Sequence, residues 1–141
     1  MTIYDSRVFK QVRSKGNQMA ELTVRKIIEI HDEIIQKYGG TSGVLSEATL
    51  EMLVYKVNRE HNVLRQSSMV LHMITSQHPF FDGNKRTALV TAEKMLYDEG
   101  YYIHAEAEKK VDFMIKIAEY KCSVKTIEKW VKKSIRELHP G

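Results

Sequence analysis

The sequence has a single cysteine, Cys122, so no intramolecular disulfide framework can form. A reducing compartment, the cytoplasm, is the expected setting. Long apolar runs are missing as well. Nothing approaches the roughly 18 consecutive apolar residues of a membrane-spanning helix. Residues 1–20 are polar and of mixed charge, without the apolar stretch of a signal peptide. No membrane partner is expected. His31, His61, His72 and His104 are scattered, and no pair has the spacing of a zinc site. Cys122 has no base beside it in sequence and reads as a small buried residue, not a nucleophile. There is no internal repeat and no low-complexity segment.

What remains is ordinary for one globular domain: 141 residues, 43% hydrophobic and 28% charged, enough to bury a core without staples. The net charge of +4 is unevenly placed. Residues 1–107 hold 13 basic and 13 acidic groups, whereas residues 108–141 hold 9 and 5. A basic final third suits an acidic partner or nucleic acid. It equally suits a solvated, lysine-rich helix face, which is the preferred reading. There is no helix-turn-helix pattern, and no aromatics are interleaved for base stacking, so nucleic acid is not expected.

Periodicity organises residues 22–141 into an all-α domain, an orthogonal bundle of about six helices. Residues 1–21 show no sustained pattern and read as an arm. Thr23 offers an N-cap, followed by Val24, Ile27, Ile28, His31, Ile34, Ile35 and Tyr38 at helical spacing. Gly39-Gly40 ends that helix. Ser46 caps a second helix carrying Leu50, Leu53, Val54 and Val57. A buried helix follows over about residues 62–77 and stops by His78, ahead of Pro79. Another starts near Asn84 and ends at Gly100. Tyr101-Tyr102-Ile103 reads as a short extended piece, with no clear strand to pair with. A helix over 108–121 is expected to turn Val111, Met114, Ile115 and Ala118 inward. The last starts after Ser123 and carries Val124, Ile127, Trp130, Val131 and Ile135, with Trp130 in the core.

Chemistry concentrates between two helices otherwise built for burial. From His78 to Arg86 lie an imidazole, a carboxylate, an amide, an ammonium and a guanidinium. A helix beginning at Asn84 presents free N–H groups and the positive end of its dipole, which makes an anion site. Gly83 admits close approach of a phosphate. Lys85 and Arg86 are cations where the dipole disfavours them, which argues that an anion belongs there. Arg86 can grip phosphate oxygens through two N–H groups at once. Asp82 at the mouth can hold Mg²⁺, an ion that takes one or two carboxylates plus phosphate oxygens. His78 is placed to act as general base on a hydroxyl. The combination points to phosphoryl or nucleotidyl transfer. Each residue alone has a plain structural reading as a cap, a turn or a packed side chain.

The run His78-Pro79-Phe80-Phe81-Asp82-Gly83-Asn84-Lys85-Arg86-Thr87-Ala88 resembles the signature loop of the Fic/Doc family. That pattern is His-x-Phe-x-Asp/Glu-Gly/Ala-Asn followed by a basic segment. Residues 22–50, with Gly39-Gly40 and the Gly43-Val44 turn, resemble the opening of death-on-curing (Doc) proteins. The resemblance covers residues 22–138. It implies a helical core with the loop between two central helices, ATP as substrate and Mg²⁺ as cofactor. It implies His78 as general base and Asp82 as the Mg²⁺ ligand. Gly83, Asn84 and Lys85 would form the anion nest, Arg86 would bind phosphate, and Phe80 would anchor the loop from inside.

Two positions depart from the Fic nucleotidyltransferase pattern. Lys85 stands where those enzymes have glycine, and Leu89 where they have a second arginine. Both changes match the Doc branch, which transfers the terminal phosphate to a threonine of a protein such as elongation factor Tu. The implied activity is therefore a protein kinase toxin aimed at a translation factor. The alternatives are a Fic-type adenylyltransferase or a non-catalytic binding module on the same fold. The family's self-inhibiting sequence, Ser/Thr-x-x-x-Glu-Gly/Asn, has no match in the chain, which implies a separate antitoxin. The residues between Gly39 and Leu45 are either a target-docking flap or a plain interhelical loop. Neither oligomeric state nor target can be read from the sequence.

Overall fold

A computed structural model describes residues 21–139; the N-terminal arm read over residues 1–21 lies, but for Glu21, outside the described residues. Among the described residues six helices carry the fold: α1 Val24–Tyr38, α2 Glu47–Asn58, α3 Val63–Gln77, α4 Asn84–Asp98, α5 Ala107–Tyr120 and α6 Val124–Ser134. The architecture is the all-α bundle that the periodicity implied. Three helix starts anticipated or implied by sequence are capped as such residues cap. The side chains of Thr23, Ser46 and Ser123 accept from the amides of Lys26, Thr49 and Thr126. Asn62 does the same for α3.

Helices α3 and α4 form the centre and pack most extensively on each other. Ten of the fifteen residues of α3 are buried, because other helices cover several of its faces. Two of its buried serines are satisfied within the helix: Ser67 and Ser68 both donate to the carbonyl of Leu64. Ala88 and Ala92 on α4 are fully buried, and small side chains there let the two axes approach closely. Helix α5 is tied to α4 by Lys110–Glu93 at 2.7 Å, and α6 to α3 by Arg65–Glu128 at 2.7 Å. Among the described residues, no helix is long and apolar enough to cross a membrane.

Three sequence expectations are corrected. The extended piece β1, Tyr101–Ile103, does have a partner: β2, Ile135–Glu137, runs antiparallel to it, with Ile103 opposite Ile135. Ile135 therefore belongs to a strand instead of extending α6, and it is fully buried there. Val111 and Ile115 do not face inward. They are 52% and 38% exposed, while Phe113, Met114 and Ile117 make the buried face of α5. Tyr38 closes the apolar stripe of α1 in sequence yet is 53% exposed, since the helix runs past the core before its last turn. Two smaller differences concern Cys122 and Trp130. Cys122 is half-buried and its thiol donates to the carbonyl of Lys116. Trp130 lies at the core margin, stacked on Phe113 with ring centroids 4.0 Å apart.

Candidate active site

The loop between α3 and α4 begins with an unusual backbone. His78 closes α3 in the left-handed region, at φ 50° and ψ 64°. For a residue with a Cβ this costs roughly 1–2 kcal/mol. The neighbouring chain holds the turn in place. The carbonyl of Pro79 accepts from the amides of Leu45 and Ser46, and the amide of Phe81 donates to the carbonyl of Gly43. Phe80 and Val44 form an antiparallel bridge. Residues 43–46 are thus fastened along the loop by backbone bonds and a single β-bridge.

Phe80 is 1% exposed, wedged beneath the turn. Asn84, also buried, braces it from the far side. Its Oδ1 accepts from the Phe80 amide at 3.0 Å, and its Nδ2 donates to the Phe80 carbonyl at 2.9 Å. The Asn84 side chain is thereby committed to the loop backbone, leaving its main-chain N–H for any anion nest. Helix α4 starts from Gly83, at φ 72°, and no side chain caps it. A left-handed residue at this point is natural for glycine. The first N–H groups of α4 are the orphan donors of a helix end.

Asp82 is exposed at the mouth. One carboxylate oxygen, Oδ2, accepts from the amide of Thr41 at 2.9 Å. Its remaining lone pairs are available to a cation. Gly40 makes this approach possible, because a Cβ there would come within 3.2 Å of that oxygen. His78, Lys85 and Arg86 are likewise exposed. The guanidinium of Arg86 lies over the ring of Tyr38, 4.1 Å from its centroid.

These residues share one cleft of about 470 Å³. His78, Asp82, Gly83, Lys85 and Arg86 line it on one side. Leu89 of α4 with Val111, Met114 and Ile115 of α5 line the other. The outward turn of Val111 and Ile115 thus gives a polar, cationic floor an apolar wall. A second cleft of about 430 Å³ lies between α1 and α4, lined by Leu22, Ile30, Asn58, Gln66 and Thr91 among others, away from the loop. Among the described residues, no three His, Cys, Asp or Glu side chains come together to hold a metal ion.

Some contributors to the site were not marked by the sequence. Thr41 reaches Asp82 and Tyr38 reaches Arg86 across more than 40 residues of chain. The only sequence signal for them was the glycine-rich stretch after α1. His31, placed by the sequence on the apolar stripe of α1, also touches the loop, through Asp82 and Phe80.

Comparison with curated proteins finds no match. A protein-family model described as the Fic/DOC family matches residues 21–96, which take in α1 to α3, the whole loop and α4 as far as Leu96. Members of that family are commonly protein-modifying transferases that bind ATP and usually Mg²⁺. The matched region covers more than half of the chain and contains the cleft floor from His78 to Arg86, and on this ground the chain belongs to the Fic/DOC family.

Proposed function

We propose that the protein is a Doc-type kinase that moves the terminal phosphate of ATP to a threonine hydroxyl of a target protein, with a translation factor such as elongation factor Tu as the target. The observation that carries this reading over nucleotidyl transfer is the pair Lys85 and Leu89 on the cleft lining. Lys85 occupies space beside the start of α4 that a glycine would leave to a phosphate. Leu89 offers no charge to a further phosphate.

In this reading His78 takes the proton from the attacking hydroxyl. The oxygen then bonds to the terminal phosphorus, the bond to the bridging oxygen breaks, and ADP leaves with that electron pair. The uncapped amides of α4 and the Arg86 guanidinium meet the charge that develops on the phosphoryl oxygens. Asp82 fits Mg²⁺ as a single carboxylate, with the nucleotide phosphates supplying further oxygens. Bound there, Mg²⁺ would neutralise phosphate charge. In this reading the Gly39–Leu45 segment would dock a target segment, a role that its bridge to Phe80 through Val44 supports over that of a plain interhelical loop. Phe81 and Val111 on the cleft lining, and Leu45 on the segment bonded to the loop, are each more than half exposed, which suits a protein partner, either target or separate antitoxin.

The test is the intact mass of elongation factor Tu after incubation with the protein, ATP and Mg²⁺. The kinase reading expects a gain of one phosphate. A gain of one AMP would instead establish Fic-type adenylylation, and no gain on this or other translation factors would favour a binding module.

A further inference from the structure

His31 lies on the buried face of α1 and is 1% exposed. Its ring sits flat on Phe80, with centroids 3.8 Å apart and planes within 6°. Its Nε2 is 2.8 Å from the main-chain oxygen of Asp82. A carbonyl only accepts, so Nε2 carries the proton and the ring donates. Packing alone would be served by any flat apolar ring. A donor at this depth has the Asp82 carbonyl as its partner.

That bond has a geometric consequence. The carbonyl of Asp82 and the N–H of Gly83 belong to one planar, trans peptide unit, in which they point in opposite directions. Holding the carbonyl toward α1 therefore turns the Gly83 N–H away from α1. Ile34 and Ile35 back the same turn, 3.4–3.6 Å from where a Cβ on Gly83 would lie. The Asp82 carboxylate is held separately, by the Thr41 amide from the segment that follows α1. One helix and its trailing loop thus grip both ends of Asp82.

We infer that His31 is a positioning residue: through the Asp82 carbonyl it sets the Asp82–Gly83 peptide so that the Gly83 N–H is presented to the cleft, beside the Asp82 carboxylate that the Thr41 amide holds. The use made of that presentation rests on the phosphate-site reading above; the orientation itself does not.

Two substitutions separate donor from ring. His31→Phe keeps the stack on Phe80 and removes the donor. His31→Gln loses the ring and places an amide donor near Nε2. The first readout is amide hydrogen exchange without nucleotide, at Thr41, Phe80 and Phe81, whose N–H groups bond across the loop. His31→Phe is expected to speed exchange there about five- to tenfold, the equivalent of one lost hydrogen bond, while His31→Gln stays within about threefold of the parent. The second readout is titration with ATP and Mg²⁺, where His31→Phe should bind about five- to tenfold more weakly and His31→Gln near the parent value. Unchanged exchange in His31→Phe overturns the inference, because that variant keeps the ring and loses only the donor, and the ring's packing would then be its whole role. Equal disturbance in both variants overturns it as well, because an amide donor would then fail to replace the imidazole. Should His31→Phe not fold, His31→Gln decides alone: exchange beyond about threefold overturns the inference. A parent protein that binds no nucleotide would refute the kinase reading, while the exchange comparison still decides the role of His31.

Discussion

Arg86 rests its guanidinium on the exposed ring of Tyr38, 4.1 Å from the ring centroid, where the last turn of α1 meets the first turn of α4. Such a contact at an exposed site contributes about 0.5–1 kcal/mol. It holds the cation close to the cleft against the preference of its own helix dipole. Tyr38→Phe should leave phosphate transfer unchanged, because the ring face is kept. Tyr38→Leu should lower kcat/KM by about two- to fivefold. Arg86→Lys should lose far more, about tenfold or beyond, because an ammonium cannot make the paired contacts of a guanidinium. Steady-state kinetics on the three variants check the order. Equal activity of Arg86→Lys and the parent would remove the phosphate-gripping role.

His78 is best replaced by asparagine. Alanine would sit at φ 50° without a polar side chain to ease it, whereas asparagine tolerates the left-handed region. His78→Asn should melt within about 1 kcal/mol of the parent yet lose about 10²–10⁴-fold in transfer rate. Thermal melts beside a phosphotransfer assay separate the two effects. Transfer at the parent rate would exclude His78 as the base.

Asn84→Ala should destabilise the fold by about 1–3 kcal/mol, because it strips partners from both the N–H and the C=O of buried Phe80. Asn84→Asp should also destabilise, since a carboxylate can accept from Phe80 but cannot donate to its carbonyl. Urea unfolding of both variants is the measurement. A shift below about 0.5 kcal/mol for Asn84→Ala would show that water replaces the amide fully.

His72, half-buried on α3, has its pKa held below the ordinary 6.5 by loss of solvent. Below pH 6.5 the unfolded chain therefore binds more protons at this residue than the folded chain does, so its contribution to stability falls with pH. The contribution is present in full above the ordinary value and is lost as pH falls from there through the lower value of the folded state. Melting temperature should decline between pH 7.5 and pH 5.5, and the decline should be shallower in His72→Gln. Parallel curves for the two proteins would assign the slope to other groups.

The ordered run of charged groups along the loop was legible because it is local. His78 to Arg86 are neighbours in the chain, and a cation pair in the first turn of a helix is anomalous without reference to anything distant. Helix starts were legible for the same reason: Thr23, Ser46 and Ser123 bond to amides three residues away. Whatever depends on a distant partner was not. A three-residue strand such as Tyr101–Ile103 carries too little pattern to announce Ile135–Glu137 as its mate. Val111 and Ile115 repeat at helical spacing as core residues do, and only the placement of α5 beside the loop turns them to the cleft.

Local hydrogen bonds and apolar periodicity thus let the sequence by itself determine the helices, their caps and the order of charged groups along the loop. Tertiary packing decided that α1 stands behind that loop, with His31 at the carbonyl of Asp82 and Tyr38 beneath Arg86. The physical reason is distance along the chain: contacts across 48 to 51 residues depend on how whole helices pack, and no period in the sequence encodes that.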